Sequence, residues 1–134
     1  MKNSARIAIV EDCFIQSTVM KKIFESEGYN VIGMFKSGED ALSRFETEKP
    51  DIYIMDINLN GELNGFETVN VIRQTSQIPA IFVTASNNTE ILEKVGRFSP
   101  SALLVKPVFK DSLLRKVDEL TGIGTYTNVL DSAS

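Results

Sequence analysis

The chain of 134 residues contains no histidine and only one cysteine, Cys13. The lack of histidine excludes histidine acid–base catalysis, Ser-His-Asp triads and zinc sites with histidine ligands. A single cysteine excludes a disulfide bond within the chain, which agrees with a reducing compartment. We therefore expect a cytoplasmic protein in which Cys13 packs as a small apolar side chain.

Long apolar runs and an excess of positive charge are also missing. No apolar stretch approaches the roughly 20 residues that span a bilayer, so we expect no membrane insertion. Residues 1–6 lead directly into the first predicted strand, so we expect no signal peptide. The net charge is −4 and the isoelectric point about 4.9, which argues against direct contact with the phosphate backbone of nucleic acids.

The pattern that is present alternates short apolar runs with helical periodicity. Buried parallel strands are predicted by the apolar runs at residues 6–10, 31–35, 52–55, 80–83 and 102–105. Such runs, separated by helices, are typical of strands that are covered on both faces. Five repeats of strand and helix predict one α/β domain with a parallel sheet, helices on both faces and right-handed crossovers.

Each helical segment carries an apolar stripe or a start signal. The first helix has the stripe Ile15, Val19, Ile23, widened by Met20 and Phe24, and the fourth has Ile91, Leu92, Val95 and Phe98. Residues 37–40 open the second helix, and residues 86–89 offer N-caps for the fourth. We also expect the aromatic residues, Phe14, Phe66 and Phe82 among them, to lie in the core.

Polar residues follow four of the apolar runs at the point where each run ends. They are Glu11 and Asp12, then Asp56, Thr84 and Lys106. Because the carboxyl ends of parallel strands form one edge, where α/β folds place their functional crevice, these side chains should converge. Three carboxylates, a hydroxyl and an ammonium group together predict a site for a divalent cation and a phosphoryl group.

The acidic residues favour a metal site with a carboxylate nucleophile. Glu11 and Asp12 are adjacent carboxylates that need a cation, and magnesium prefers such oxygen ligands. Asp56 is a candidate for acyl phosphate formation, with Asn58 two residues further on as a source of another oxygen ligand. A solvated acidic turn at a helix N-terminus and an ordinary aspartate at a strand end are the simpler alternatives.

Thr84 and Lys106 suit the oxygens of a phosphoryl group. The Thr84 hydroxyl can donate a hydrogen bond, although threonine is also common in strands. Lys106 ends an apolar strand directly before a proline, so its ammonium group must find an anion or reach water. No Walker A or dinucleotide-binding glycine pattern follows the first strand.

This ordered set of residues resembles the receiver domain of two-component response regulators over residues 6–120. The resemblance implies a flavodoxin-like (βα)5 three-layer sandwich with strand order 2-1-3-4-5. It implies that Asp56 accepts a phosphoryl group from a phosphohistidine on a sensor histidine kinase or phosphotransfer protein. It further implies Mg²⁺ or Mn²⁺ bound by Glu11, Asp12, Asp56 and the Asn58 backbone carbonyl, and phosphoryl oxygens contacted by Thr84 and Lys106.

The resemblance also implies an organisation and an output. Residues 1–121 are expected to form the receiver, and residues 122–134 a tail or the start of a linker. Phosphorylation would repack the surface made by the fourth helix, fifth strand and fifth helix, which a downstream protein reads. We expect no turnover enzyme, only slow self-dephosphorylation. A phosphorylation-dependent dimer is left open.

Two features depart from the family, and two other hypotheses stay open. Leu103 occupies the position of the usual aromatic switch residue, and the loop at residues 60–65 is slightly longer than usual. Leu103 favours a phosphorylation-silent pseudo-receiver that only binds a partner. A magnesium-dependent phosphatase with an aspartyl-phosphate intermediate is disfavoured, because Asn58 stands where the haloacid dehalogenase type has a second aspartate.

Overall fold

The computed structural model describes residues 5–122, in which five strands alternate with five helices. The strands are β1 (Arg6–Val10), β2 (Asn30–Phe35), β3 (Ile52–Asp56), β4 (Ala80–Thr84) and β5 (Ser101–Val105). The helices are α1 (Phe14–Ser26), α2 (Gly38–Glu48), α3 (Gly65–Ile72), α4 (Thr89–Arg97) and α5 (Lys110–Thr121). The predicted alternation is confirmed, with strand ends within one residue of those expected.

All five strands are parallel and lie in the order β2-β1-β3-β4-β5. This confirms the flavodoxin-like order 2-1-3-4-5. Ile54 in the middle of β3 pairs with Ile9 on β1 and Ile81 on β4, so apolar side chains of neighbouring strands stand side by side. β1, β3 and β4 are the buried centre of the sheet.

Alternation along the strands divides the core into two layers. One layer packs α1 and α5 against the sheet through Met20, Phe24, Leu113, Leu114 and Val117. The other packs α2, α3 and α4 against the opposite face through Ala41, Phe66, Val69, Ile72 and Val95. The result is the predicted three-layer sandwich, in which each strand contributes to both layers.

The predicted helix starts are confirmed at α2 and α4. Ser37 is the N-cap of α2, where its hydroxyl accepts the N–H of Asp40 at 3.1 Å. Asn88 is the N-cap of α4 and accepts the N–H of Ile91 at 2.9 Å. Both side chains satisfy N–H groups that have no partner within the first turn of a helix.

The expectation for the apolar face of α1 is confirmed for Met20 and Phe24, which are buried, and is wrong for Phe14, Ile15 and Val19. Phe14 and Ile15 are 73% and 72% exposed, and Val19 is also exposed, whereas Ser17 and Met20 are buried. Two residues along an α-helix correspond to about 200° of rotation, so Ile15 and Val19 lie on the side opposite Ser17. Both faces have helical spacing, and contact with the sheet selects the one carrying Ser17 and Met20.

Leu92 on α4 is a second exception, since it is exposed although it belongs to the predicted stripe. Phe66 and Phe82 are buried as predicted. None of the helices within residues 5–122 has the length and hydrophobicity that a membrane span requires. The predicted tail lies outside the described residues apart from Gly122, which caps α5 in a left-handed conformation.

Candidate functional site

Three of the predicted site residues project from one face of the sheet at its carboxyl edge. Asp56 ends β3 two residues after Ile54, and Lys106 follows β5 two residues after Leu104. Ile54 and Leu104 belong to the layer under α1 and α5. Because strand side chains alternate, Asp56 and Lys106 emerge beside that layer, as does Glu11, two residues after Ile9.

Lys106 joins two of the carboxylates. Its Nζ atom lies 3.4 Å from Asp56 Oδ2 and 3.5 Å from Glu11 Oε1. The two carboxylates are almost fully buried, and the Lys106 side chain is 24% exposed. The backbone N–H of Lys106 donates to the Thr84 carbonyl at 2.8 Å, which holds the lysine at the end of β4. The backbone hydrogen bonding of the sheet therefore continues to Lys106 and fixes the position from which its side chain forms both ion pairs.

Negative charge exceeds positive charge in this cluster. One carboxylate oxygen from each of Glu11, Asp12 and Asp56 lies within 4.8 Å of the others, and Lys106 forms ion pairs with two of them, Glu11 and Asp56. Burial, followed by repulsion from Asp56, raises the pKa of Glu11 to about 7. Among the described residues, Glu11 Oε1 is a buried oxygen that has the ion pair with Lys106 but no hydrogen bond. These features fit a divalent cation, which supplies charge and accepts oxygen ligands.

Backbone N–H groups orient the three carboxylates. Asp56 Oδ1 accepts the N–H of Asn58 at 3.1 Å, and Glu11 Oε2 accepts the N–H of Cys13 at 3.2 Å. Asp12 Oδ2 accepts the N–H of Asn60 at 3.2 Å. The loop after β3 therefore reaches back to the residues after β1, and Asn58 lies beside Asp56.

Thr84 lies on the opposite face of the sheet from the carboxylates. It follows Phe82 by two residues on β4, and Phe82 packs in the layer under α3 and α4. Thr84 is fully buried, and its hydroxyl accepts the N–H of Ser86 at 3.3 Å. Leu103, opposite Phe82 in the register, packs in the same layer. Thr84 thus lies at the carboxyl edge of the sheet, on the face that α3 and α4 cover.

A groove of about 440 Å³ opens beside the cluster. Glu11 and Lys106 line it together with Ile15 and Val19 of α1 and Val108 after β5. The exposed apolar face of α1 is one wall of this groove. The groove was not predicted, because the periodicity of α1 predicts buried positions for Ile15 and Val19.

The sequence interpretation also missed Glu39 in the first turn of α2. Its Oε2 atom accepts the N–H of Glu62 at 2.7 Å, so the side chain is attached to the loop between β3 and α3. The one indication in the sequence is the length of that loop, because a long loop needs contacts with another part of the chain to hold its backbone in place.

Comparison with known proteins agrees with this geometry. Residues 7–118 match the family model of the response regulator receiver domain. PilH of Pseudomonas aeruginosa is 32% identical over 117 residues, which cover 85% of this chain and 95% of PilH. The transcriptional regulatory protein PdtaR of Mycobacterium tuberculosis is 26% identical over 113 residues, 84% of this chain and 55% of PdtaR. The chain therefore spans about half the length of PdtaR.

A solved structure shares both fold and sequence features. The signal receiver domain of a modulated diguanylate cyclase from Desulfovibrio desulfuricans G20 superposes with a TM-score of 0.80 at 34% sequence identity. The match covers 88% of this chain and 94% of that domain. The five-stranded order and the five helices are therefore those of a known fold.

Proposed function

This chain belongs to the family of response regulator receiver domains, and from that premise we propose that Asp56 accepts a phosphoryl group from a phosphohistidine. The observation that carries the proposal is the cluster in which Asp56 lies 3.4 Å from the Lys106 ammonium group and beside two more carboxylates. These 134 residues contain no histidine, so the phosphohistidine lies outside them, on a sensor histidine kinase or a phosphotransfer protein.

The proposed transfer is a single displacement at phosphorus. An Asp56 carboxylate oxygen forms the new O–P bond as the P–N bond of the donor breaks, and the electron pair of that bond stays with the imidazole nitrogen. Lys106 lies beside the accepting carboxylate and offsets the negative charge that the phosphoryl oxygens bring. Positioning and charge stabilisation supply most of the catalysis in such reactions.

Glu11, Asp12, Asp56 and the backbone carbonyl of Asn58 are the proposed ligands of Mg²⁺ or Mn²⁺. When bound, the ion neutralises charge on the phosphoryl oxygens and on the carboxylates. The buried Glu11 oxygen, which has an ion pair with Lys106 but no hydrogen bond, supports this assignment, as does the excess of carboxylates over ammonium groups. The chain's own residues prepare the site by orienting each carboxylate on a backbone N–H group.

Thr84 is the proposed link between the site and a protein-binding surface. A dianion on Asp56 would attract the Thr84 hydroxyl and Lys106, which draws the loop after β4 towards the site and biases an existing equilibrium. Phe82, two residues before Thr84, lies 5.7 Å from the Phe98 ring at the end of α4. Movement of β4 would therefore shift the end of α4 and change the surface formed by α4, β5 and α5, where we propose that a downstream protein binds.

The groove beside the cluster suits the protein that delivers the phosphoryl group. Ile15 and Val19 expose apolar surface next to Glu11 and Lys106, so a donor that covers the groove brings its phosphohistidine near Asp56. Exposed apolar patches are typical of interaction sites.

A kinase that takes its phosphoryl group from ATP places the chain in the cytoplasm. We assign the receiver to residues 1–121.

A phosphorylation-silent binding module is the second candidate, and Leu103 is the observation that favours it. Leucine has no ring that can exchange between buried and exposed positions, so one usual route from Thr84 to the output surface is missing. A turnover phosphatase finds no such support, since receiver domains are generally signalling modules.

Intact-protein mass spectrometry after incubation with a small phosphoryl donor and magnesium tests the proposal. The wild type should gain one phosphoryl group, and Asp56→Asn none. Asp51→Asn is a matched control, because Asp51 lies at the opposite end of β3 and its carboxylate accepts the N–H of Arg6. Unchanged labelling of Asp56→Asn would contradict the proposal, and a wild type that gains no phosphoryl group and binds no magnesium would favour the binding module.

A further inference from the structure

The loop between β3 and α3 contacts one exposed carboxylate, that of Glu39. Glu39 Oε2 accepts the N–H of Glu62 at 2.7 Å. Gly61, the preceding residue, has φ of +111°, and a Cβ atom there would lie 3.0 Å from Glu39 Oε1. Successive backbone N–H groups in such a turn form a concave binding site for an anion. Here the anion is a side chain of the same protein.

The electrostatics of Glu39 agree with this arrangement. The N–H group of Glu62 above all, and also those of Glu39 itself and Leu63, hold the pKa of the Glu39 carboxyl below its ordinary value. The carboxylate is therefore charged when it binds the loop. Glu39 is in the first turn of α2, where the helix dipole also favours a negative charge.

The same loop contacts the proposed metal site. Asn60, one residue before Gly61, donates its N–H to Asp12 Oδ2 at 3.2 Å. The backbone between Asn60 and Glu62 therefore has one attachment at each end, Asp12 on the site and Glu39 on α2. Loss of the Glu39 attachment would free Gly61, the residue with the greatest conformational freedom in this stretch.

We propose that Glu39 is a positioning residue, which holds the loop so that the Asn60 N–H group orients the Asp12 carboxylate for a divalent cation. This inference rests on the proposed function of the site and adds a residue to it. Glu39 acts through the loop and touches none of the proposed ligands. Partners of this kind fix the orientation of a metal ligand and strengthen metal binding.

Amide hydrogen exchange on the full chain without metal tests the attachment. Glu39→Ala should accelerate exchange of the Asn60, Glu62 and Leu63 amides by about tenfold, because these groups lose their partner or its support. Glu39→Gln should accelerate it less, since the amide oxygen still accepts a hydrogen bond. Asp40→Ala removes the same charge from the same turn and should leave these amides unchanged. Equal exchange in all four proteins would overturn the inference.

Calorimetric titration with magnesium alone tests the consequence for the site. Glu39→Ala and Asp40→Ala both remove one negative charge, so each loses the same weak attraction for the cation. Glu39→Ala should bind magnesium about three- to tenfold more weakly than Asp40→Ala, with Glu39→Gln between them. Equal affinities of the two alanine variants would overturn the positioning role.

The two assays separate failure of this inference from failure of the proposed function. A wild type that binds no magnesium would contradict the proposed function and with it any role of Glu39 in metal binding. Faster exchange in Glu39→Ala would still support the attachment of the loop. Normal magnesium binding together with unchanged exchange in Glu39→Ala would contradict this inference alone.

Discussion

Glu11 sets the pH dependence expected at the scale of a residue. Its pKa rises from an ordinary value of 4.5 to about 7 in the folded protein, first because it is buried and then because Asp56 repels its charge. Between pH 4.5 and about pH 7, Glu11 of the folded chain retains a proton that the same residue has released in the unfolded chain. By linkage, the free energy of unfolding should fall as the pH rises through this window.

Urea unfolding with a chelator present measures this effect. Between about pH 4.5 and about pH 7 the wild type should lose stability relative to Glu11→Gln, at roughly 1.4 kcal/mol for each unit of pKa difference. Glutamine has nearly the same shape and does not titrate, so the difference between the two proteins reports the titration of Glu11 together with its repulsion of Asp56. Parallel pH profiles would contradict the raised pKa.

The positions of individual residues were predictable to different degrees. Glu11, Asp56 and Lys106 come together because each lies at the carboxyl end of a strand, and these ends meet at one edge of the sheet whatever the path of the loops. Their chemical roles remain predictions. The bond between Glu39 and Glu62 could not be predicted, because it depends on the backbone path of a loop that contains a glycine at positive φ.

At the scale of an element, α1 presents the face on which a donor protein is expected to bind. Ile15→Ser should slow phosphoryl transfer from a phosphorylated histidine-containing donor protein by about tenfold, which corresponds to about 1.4 kcal/mol. Labelling by a small donor should not change, since that donor needs no apolar surface. Quantitative gels that separate the phosphorylated form would measure both rates.

Val71→Ser supplies the control for that comparison. Val71 is also an exposed apolar helical residue, 39% exposed, but it lies on α3 on the other side of the sheet. Its substitution should alter neither rate. If Ile15→Ser and Val71→Ser slow phosphoryl transfer from the donor protein equally, loss of any exposed apolar side chain is enough to slow the transfer. That result would contradict a specific donor-binding surface on α1.

The start of α3 is expected to tolerate no side chain at Gly65. A Cβ atom there would lie 2.4 Å from the Asp56 carbonyl oxygen and 3.0 Å from Ile57 Cα, both of which are backbone atoms. Gly65→Ala should therefore lower the free energy of unfolding by about 1–3 kcal/mol, the usual cost of overpacking. Urea unfolding measures it.

Gly96 on α4 is the matched comparison for Gly65. Nothing lies within 4 Å of a Cβ atom built on Gly96, so alanine there gains helix propensity without a clash. Gly96→Ala should raise the free energy of unfolding by up to about 1 kcal/mol. Similar destabilisation by both substitutions would contradict the close approach of α3 to the end of β3.

The faces of the helices were harder to predict than the helices themselves. Periodicity alone shows α1 with two apolar faces, and the structure buries the one with Met20 and Phe24. The choice depends on which side of the sheet the helix covers and on what packs beside it. Such information is not local, so Phe14 and Ile15 were assigned to the core in error.

At the scale of the whole molecule, the fold was predictable from pattern and resemblance together. Alternating strands and helices predict a parallel sheet, while the order 2-1-3-4-5 came from the resemblance and is confirmed. The division between receiver and tail after residue 121 stays a prediction, because the described residues end at 122. The effect of Leu103 on the coupling between the Asp56 site and the surface of α4, β5 and α5 also stays a prediction.

The central claim is that one carboxylate of the cluster, Asp56, carries the phosphoryl group. Loss of labelling in Asp56→Asn alone leaves a second explanation, because Asp56 is also a proposed metal ligand. Glu11 and Asp12 lie close enough to compete as acceptors. The acceptor must therefore be identified in the wild-type chain.

Borohydride reduction of the phosphorylated wild type, followed by tandem mass spectrometry of its peptides, is the most direct measurement. Borohydride converts an aspartyl phosphate to homoserine and so marks the residue that carried the phosphoryl group. The account predicts homoserine at position 56, only after incubation with both donor and magnesium. Reduction products at Glu11 or Asp12 with aspartate intact at position 56, or no product in a protein that has gained a phosphoryl group, would contradict it.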